Sequence, residues 1–138
     1  NELSGITKSK NINLLFETEI QDVSVVFADA ERIKQVLINL IDNSSKYTLE
    51  NGNITLSTKP GEKYVHVSIE DTGLGIPKED LPRIFERFYR VDKTRSRDMG
   101  GSGLGLSIVK HILELHNSQV KVESEPGKGT KFEFNLPI

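Results

Sequence analysis

The 138-residue sequence predicts an α+β fold: a two-layer α/β sandwich, with helices packed on one face of a mixed, mostly antiparallel sheet. Apolar residues recur at helical spacing around Ile33–Ile41 and around Leu104–Leu115. They alternate with polar residues around Ile54, Val65, Val122 and Phe132, as in strands buried on one face. Turn dipeptides, Asn51-Gly52, Pro60-Gly61 and Pro126-Gly127, punctuate these stretches. The predicted order is strands, helix, strands, helix, loop, helix, strands.

Ile12–Ile20 and Ser24–Ala28 read as strands with a short polar connection. Asp29 is a good N-cap, and the helix after it carries Ile33, Val36, Leu37, Leu40 and Ile41, spaced i, i+3, i+4, i+7, i+8. After Asn51-Gly52, Ile54 and Leu56 mark a half-buried strand, and Pro60-Gly61 turns it into Tyr64–Glu70. A short helical stretch is expected over Lys78–Glu86, broken into two turns by Pro82. Asp92–Gly101 is polar, charged and without periodicity, and reads as a mobile loop. Leu104, Ile108, Ile112 and Leu115 then form a helical stripe to His116, and Asn117 suits a left-handed C-cap. Val120 and Val122 mark one further strand, and Phe132, Phe134 and Leu136 another.

The net charge of −2 gives no electrostatic reason to expect nucleic acid or an anionic membrane as partner. The absence of cysteine excludes disulfides and thiolate metal sites. His66, His111 and His116 do not make an HExxH pair. No apolar run approaches the roughly 18 residues that span a bilayer, and no signal peptide is visible. A single domain over residues 1–138 is expected, in the cytoplasm. The chain begins without a methionine, so a piece of a larger protein is expected.

Period-two alternation puts Asp71 on the same side as Val65, Val67 and Ile69. A carboxylate there needs a donor. Asp71 either ends the strand in an Asx turn with Gly73 or meets an amino group on a bound base. The glycines in Asp71-Thr-Gly73-Leu-Gly75-Ile-Pro77 let backbone come close to something. Thr130 shares parity with Phe132 and Phe134, and its hydroxyl either backs up Asp71 or bonds locally. Asn39, Asn43 and Lys46 lie on one helix edge at i, i+4 and i+7. They are an ordinary polar flank or a holder for hydrated Mg²⁺ carrying phosphates. Tyr47 either covers a planar base or packs in the core.

Gly100-Gly101-Ser102-Gly103-Leu104-Gly105-Leu106 precedes a helix, whose free amides suit phosphate. It is neither a P-loop nor a dinucleotide fingerprint, since neither the glycine spacing nor the flanking residues fit. Phe85 and Phe88 are expected to anchor their segment in the core. Arg87 and Arg90 then project towards phosphoryl oxygens, or pair with Glu86 or Asp92.

Together these segments resemble the sequence boxes of sensor histidine kinases. Asn39-Leu-Ile-Asp-Asn43-Ser-Ser-Lys46-Tyr47-Thr48 resembles the N box, Asp71-Thr-Gly73-Leu-Gly75 the first glycine box and Phe85–Arg90 the F box. Gly101-Ser-Gly103-Leu-Gly105-Leu106 and Gly127-Lys-Gly129-Thr130 resemble the later glycine boxes. The boxes come in the family's order and cover essentially the whole chain. Phe85–Val109 is most similar to the phosphate-regulon sensor kinases of Gram-positive bacteria.

The resemblance implies the Bergerat ATP-binding fold, shared with gyrase, a class of heat-shock chaperones and mismatch-repair ATPases. It implies binding of Mg²⁺ and ATP and donation of the γ-phosphate to a histidine on a separate dimerisation and phosphoacceptor domain. By resemblance Asp71 binds the adenine amino group with Thr130 nearby, and Asn39 and Asn43 hold Mg²⁺ and phosphates. Lys46 and Arg90 contact phosphates, and with Asn43 are the implied catalytic residues. Tyr47, Gly73, Gly75, Ile76 and Tyr89 line the nucleotide site. The segment Gly101, Ser102, Gly103, Leu104, Gly105 and Leu106 supplies phosphate-binding amides, and Asp92–Gly101 is the lid.

The family's phosphoacceptor His-Glu pair is absent, and His116-Asn117-Ser118 replaces the usual glycine-rich helix end. The expected partners are the phosphoacceptor domain of the same kinase and, indirectly, a response regulator. The parent is expected to be a membrane-bound sensor, and the domain itself to be monomeric and free of membrane contact. The alternatives are an ATPase clamp or a nucleotide-sensing module of the same fold. The clamp relatives carry a water-activating glutamate where this chain has Asn39, and asparagine cannot act as a general base.

Overall fold

The computed structural model describes residues 12–18, 29–89 and 105–137. The expected strand at Ser24–Ala28, the loop Asp92–Gly101, Arg90 and the residues from Gly101 to Leu104 lie outside these.

Strand β1 (Asn13–Thr18) is followed by helix α1 (Ala30–Tyr47), the hairpin of β2 (Asn53–Pro60) and β3 (Tyr64–Asp71), and a 3₁₀ turn at Leu81–Arg83. Helix α2 (Gly105–Leu115) and strands β4 (Lys121–Glu125) and β5 (Gly129–Pro137) complete the order. The sheet order is β1-β2-β3-β5-β4. Strand β1 runs parallel to β2, as a strand reached through a helical crossover does, and the other pairs are antiparallel. The expected mixed, mostly antiparallel sheet is therefore present.

Asp29 caps α1 from an extended conformation, its carboxylate accepting the amides of Glu31 and Arg32 at 3.1 and 3.3 Å. Of the predicted stripe, Val36, Leu40 and Ile41 are fully buried, with Ile33 and Leu37 packed at the margin. Val65, Val67 and Ile69 of β3 and Phe132, Phe134 and Leu136 of β5 face them from the sheet.

Two helical expectations are corrected. Lys78–Glu86 is not a helix. It is a run of tight turns in which the amides of Asp80, Arg83, Glu86 and Tyr89 each bond the carbonyl three residues back. Only Leu81–Arg83 reaches 3₁₀ form, because Pro82 removes a donor from any α ladder. In α2 the buried face is Val109, Ile112 and Leu113, with Leu106 packed beside them. Ile108 and Leu115, expected in the stripe, are 41% and 61% exposed. The helix packs chiefly against α1, which turns its buried face away from the single stripe the spacing suggested.

Helix α2 ends in a Schellman motif. Asn117 takes φ 56°, and the Ser118 and Asn117 amides reach back to the carbonyls of Leu113 and Glu114. His116 then ties the helices together. Its Nδ1 lies 2.8 Å from the Ile112 carbonyl, which makes it the donor, so Nε2 accepts the Asp29 amide at 3.0 Å. At the other end of the helix pair the Asn39 side chain donates to the Gly105 carbonyl at 3.3 Å. The two helices are thus antiparallel and fastened near both ends of their contact.

Candidate nucleotide-binding site

The site is built where the C-terminal half of α1 meets the ends of β3 and β5. Asp71 is the last residue of β3 and is 4% exposed. Its Oδ1 accepts the Gly73 amide at 2.9 Å and the Thr130 amide at 3.2 Å. The Asx turn with Gly73 is made, and the carboxylate lies on the core side of the strand. Both amides are spent on Oδ1, and the Ser44 hydroxyl lies beside the carboxylate. Burial pushes the Asp71 carboxyl above its ordinary value, opposed by the Gly73 amide, the Ser44 hydroxyl and the Thr130 amide.

Thr130 faces Asp71 directly across the β3/β5 ladder. It is the backbone amide of Thr130, not its hydroxyl, that supports the carboxylate. The hydroxyl pairs with Ser124 at 2.8 Å. Ser124 in turn receives the Ile76 amide at 2.7 Å, so β4, β5 and the segment after β3 are stitched through one hydroxyl. Sequence reasoning missed Ser124, because a strand serine in an alternating pattern carries no distinguishing signal.

The glycines here answer to the chain's own backbone. Gly129 has φ +126°, and a Cβ on it would lie 2.0 Å from the Asp71 carbonyl oxygen. Gly75 has φ +77°, and a Cβ there would lie 2.3 Å from the Glu125 carbonyl oxygen. Gly73 sits against the carbonyl of Tyr47, which also accepts the Leu74 amide at 3.0 Å. Tyr47 is half-buried at the end of α1. Gly105 is different: a Cβ there would meet nothing within 4 Å, so the first turn of α2 is open to close approach.

Asn39, Asn43 and Lys46 share one half-buried edge of α1. Asn39 Oδ1 accepts from the Gln35 side chain at 2.6 Å, while its amide holds Gly105. The Asn43 side chain has no hydrogen-bond partner among the described residues. Lys46 pairs with Asp42 at 3.1 Å. No group of three His, Cys, Asp or Glu side chains suited to a metal occurs among the described residues, so any ion here would rely on the neutral asparagine oxygens.

The F-box expectation is half right. Phe85 packs edge-on against Phe132 at 6.3 Å between ring centres. Phe88 is 63% exposed at φ 65° and does not anchor the segment. A left-handed turn at Phe88 carries its ring outward, and Arg87 stacks over it at 5.6 Å. Glu86 pairs with Arg83 at 2.9 Å rather than with Arg87. The Tyr89 hydroxyl donates to Asp80, which pushes its pKa up, and Arg83 lies over the Tyr89 ring at 4.6 Å. Arg87 also lines a groove of about 950 Å³ with Arg32, Gln35, Ser107, Ile108 and His111. That groove lies between α1 and α2, beside the asparagine edge. Leu106 packs against the core, and Arg90 and Gly101 to Leu104 lie outside the described residues.

A buried carboxylate with two amides on one oxygen, an asparagine–lysine helix edge and an open helix start lie together at this end of the fold. A family model described as histidine kinase-, DNA gyrase B- and HSP90-like ATPase matches residues 28–138, and the chain belongs to that family.

Within it, the chain is a catalytic domain of the sensor histidine kinases. The catalytic domain of histidine kinase ThkA is 34% identical, with a TM-score of 0.80, and the match covers 99% of this chain and 91% of that one. Sensor histidine kinase YclK of Bacillus subtilis is 46% identical over 121 residues, which is 87% of this chain and 25% of the relative. Sensor histidine kinase WalK of the same organism is 40% identical over 134 residues, 96% of this chain and 22% of the relative. The chain thus spans about a quarter of the length of these curated relatives. No helix among the described residues is long and apolar enough to cross a membrane.

Proposed function

We propose that this domain binds Mg-ATP and donates the γ-phosphate to a histidine on a separate dimerisation and phosphoacceptor domain of the same kinase. The observation that carries the reading is Asp71. It is a buried carboxylate whose two amide donors both bond one oxygen, leaving the other able to accept from an exocyclic amine. Full-length ShkA, a relative of solved structure at 31% identity, was crystallised in complex with the ATP analogue AMPPNP.

In this reading Asp71 accepts from the adenine amine, and Gly73, Gly75 and Ile76 form the wall beside it. Tyr47 and Tyr89 flank the nucleotide. The open first turn at Gly105 and Leu106, continuing the segment Gly101, Ser102, Gly103 and Leu104, offers amides to phosphate. Asn39 and Asn43 hold Mg²⁺, which neutralises phosphate charge when bound. Lys46 and Arg90 steady the transferring phosphoryl group. The histidine nitrogen attacks the γ-phosphorus, the bond to the β–γ bridging oxygen breaks, and ADP leaves. The domain's contribution is position and charge. Asn39 supplies no base for water, so hydrolysis is slow.

The partner beyond the phosphoacceptor domain is a response regulator; histidine kinase ThkA has been crystallised in complex with response regulator TrrA. The parent is a membrane-bound sensor with this domain in the cytoplasm. Mixing the domain with a separate phosphoacceptor domain and labelled ATP should give acid-labile phosphohistidine on the acceptor, and no stable label on this chain alone. Stable self-labelling, or no transfer to any acceptor while ATP is bound, would overturn the proposal.

A further inference from the structure

The wall beside Asp71 is carried by a part of the chain far away in sequence. Strand β3 ends at Asp71, and residues 74–76 lie outside any strand. The end of β4 and the turn after it hold them at three points. The Gly127 amide donates to the Leu74 carbonyl at 2.8 Å, Gly75 lies against the Glu125 carbonyl, and the Ile76 amide donates to the Ser124 hydroxyl at 2.7 Å. The first two contacts are made by backbone. The third is made by a side chain, so a substitution can remove it.

Ser124 is half-buried on β4 and faces Thr130 directly across the ladder. Its hydroxyl meets the Ile76 amide, the Gly129 carbonyl at 3.0 Å and the Thr130 hydroxyl at 2.8 Å. The carbonyl can only accept and the amide can only donate. Ser124 therefore gives its one proton to Gly129 and takes that of Thr130, which fills every hydrogen-bonding position of its hydroxyl. Thr130 in turn holds Asp71 through its amide at 3.2 Å. One oxygen thus reaches both sides of the base end: Ile76 directly, and Asp71 through Thr130.

We propose that Ser124 is a positioning residue, whose hydroxyl sets the spacing between Ile76 and Asp71 and thereby the fit of the adenine base between them. The inference rests on the reading of this site as an ATP site. Ser124 touches no nucleotide in this scheme; it acts through the two residues it ties. A hydroxyl network in which every member is satisfied rigidifies what it joins. Binding groups have to be held to within roughly 0.5 Å by residues that are themselves locked. Alanine at 124 leaves the Ile76 amide, the Gly129 carbonyl and the Thr130 hydroxyl to water, and frees the wall to drift from the carboxylate.

The test compares wild type, Ser124→Ala and Ser124→Thr, which keeps the hydroxyl, at a temperature where all three are folded. ATP is titrated by calorimetry and adenosine by NMR, and phosphotransfer to a separate phosphoacceptor domain is followed. Ser124→Ala should weaken ATP and adenosine by the same factor, roughly tenfold, the scale of one lost hydrogen bond. It should raise KM for ATP by that factor and leave kcat within about twofold, because the phosphate end is untouched. Ser124→Thr should restore both affinities. The Ile76 amide should exchange slowly with deuterium in the wild type and quickly in Ser124→Ala. A Ser124→Ala domain that is less stable yet binds adenosine as the wild type does would overturn the proposal. So would a loss for ATP alone, a threonine variant as weak as alanine, or an Ile76 amide that already exchanges freely in the wild type. Failure of the wild type to bind ATP would instead remove the site reading itself.

Discussion

The two ends of the proposed site are made differently. At the base end, position is fixed by paired backbone. Asp71 and Thr130 are cross-strand partners, and Gly75 and Gly129 are wedged against carbonyl oxygens of neighbouring segments. At the phosphate end, the groups are half-buried side chains on α1, and two of them already have partners in the chain. Asn39 is held between Gln35 and Gly105, and Lys46 lies against Asp42. On the proposed reading the base end is therefore ready before ligand arrives. On the same reading the phosphate end has to exchange internal contacts for ligand contacts, and part of its binding energy would be spent in doing so.

The largest effect that would break this contrast is at Gly129. Alanine there puts a Cβ 2.0 Å from the Asp71 carbonyl oxygen at φ +126°. Gly129→Ala should destabilise the fold by about 3 kcal/mol, measured by chemical denaturation. A midpoint equal to wild type would mean that the base end yields easily and is not prebuilt.

Next comes Asp71→Asn, which should have opposite effects on binding and stability. ATP affinity should fall tenfold or more, since a charged acceptor of roughly 1.5–3 kcal/mol is lost. Stability of the nucleotide-free domain should rise at neutral pH. Burial raises the Asp71 pKa, so the folded state holds this proton more tightly than the unfolded chain. The resulting penalty is absent below the ordinary carboxylate value and grows as pH rises through the raised one. The stability gain of the variant should therefore vanish in acid. A variant less stable than wild type at neutral pH would show that the carboxylate holds the strands together rather than waiting for ligand.

The smallest effect sharpens the other side. Gln35→Ala frees Asn39 Oδ1 from its 2.6 Å contact. If the phosphate end must exchange partners, ATP affinity in the presence of Mg²⁺ should improve by about threefold, within the net value of one hydrogen bond. Weaker binding would mean that Gln35 positions Asn39 rather than competing for it.

Much of the fold was legible because burial imposes periodicity. The stripe from Ile33 to Ile41 and the alternations in β3 and β5 are direct consequences of packing on a single core. What periodicity could not show was α2's second neighbour. A helix that packs on α1 and also joins the common core buries Val109 and Leu113, and no single stripe announces that. Lys78–Glu86 reads as helical because its composition suits a helix, and only the hydrogen-bond spacing reveals a string of turns.

The candidate site was legible as residues but not as causes. Asp71 stands out by parity alone. Gly73, Gly75 and Gly129, expected to make room for a ligand, make room for the chain itself, while Gly105 and Gly127 open onto empty space. Phe88 was invisible as an exposed ring, since i, i+3 spacing with Phe85 signals burial when the backbone is helical and signals nothing when it is not.

Strand β1 lies ahead of the span that defines the family, which starts at residue 28, yet it pairs with β2 over six residues. It occupies an edge of the sheet, and without it β2 would present a row of unpaired amides and carbonyls. Such a row is a template for intermolecular strand pairing. A chain trimmed to the family boundary would keep every residue of the proposed site and lose its guard against self-association, so its solubility, not its chemistry, is where the trimming would show.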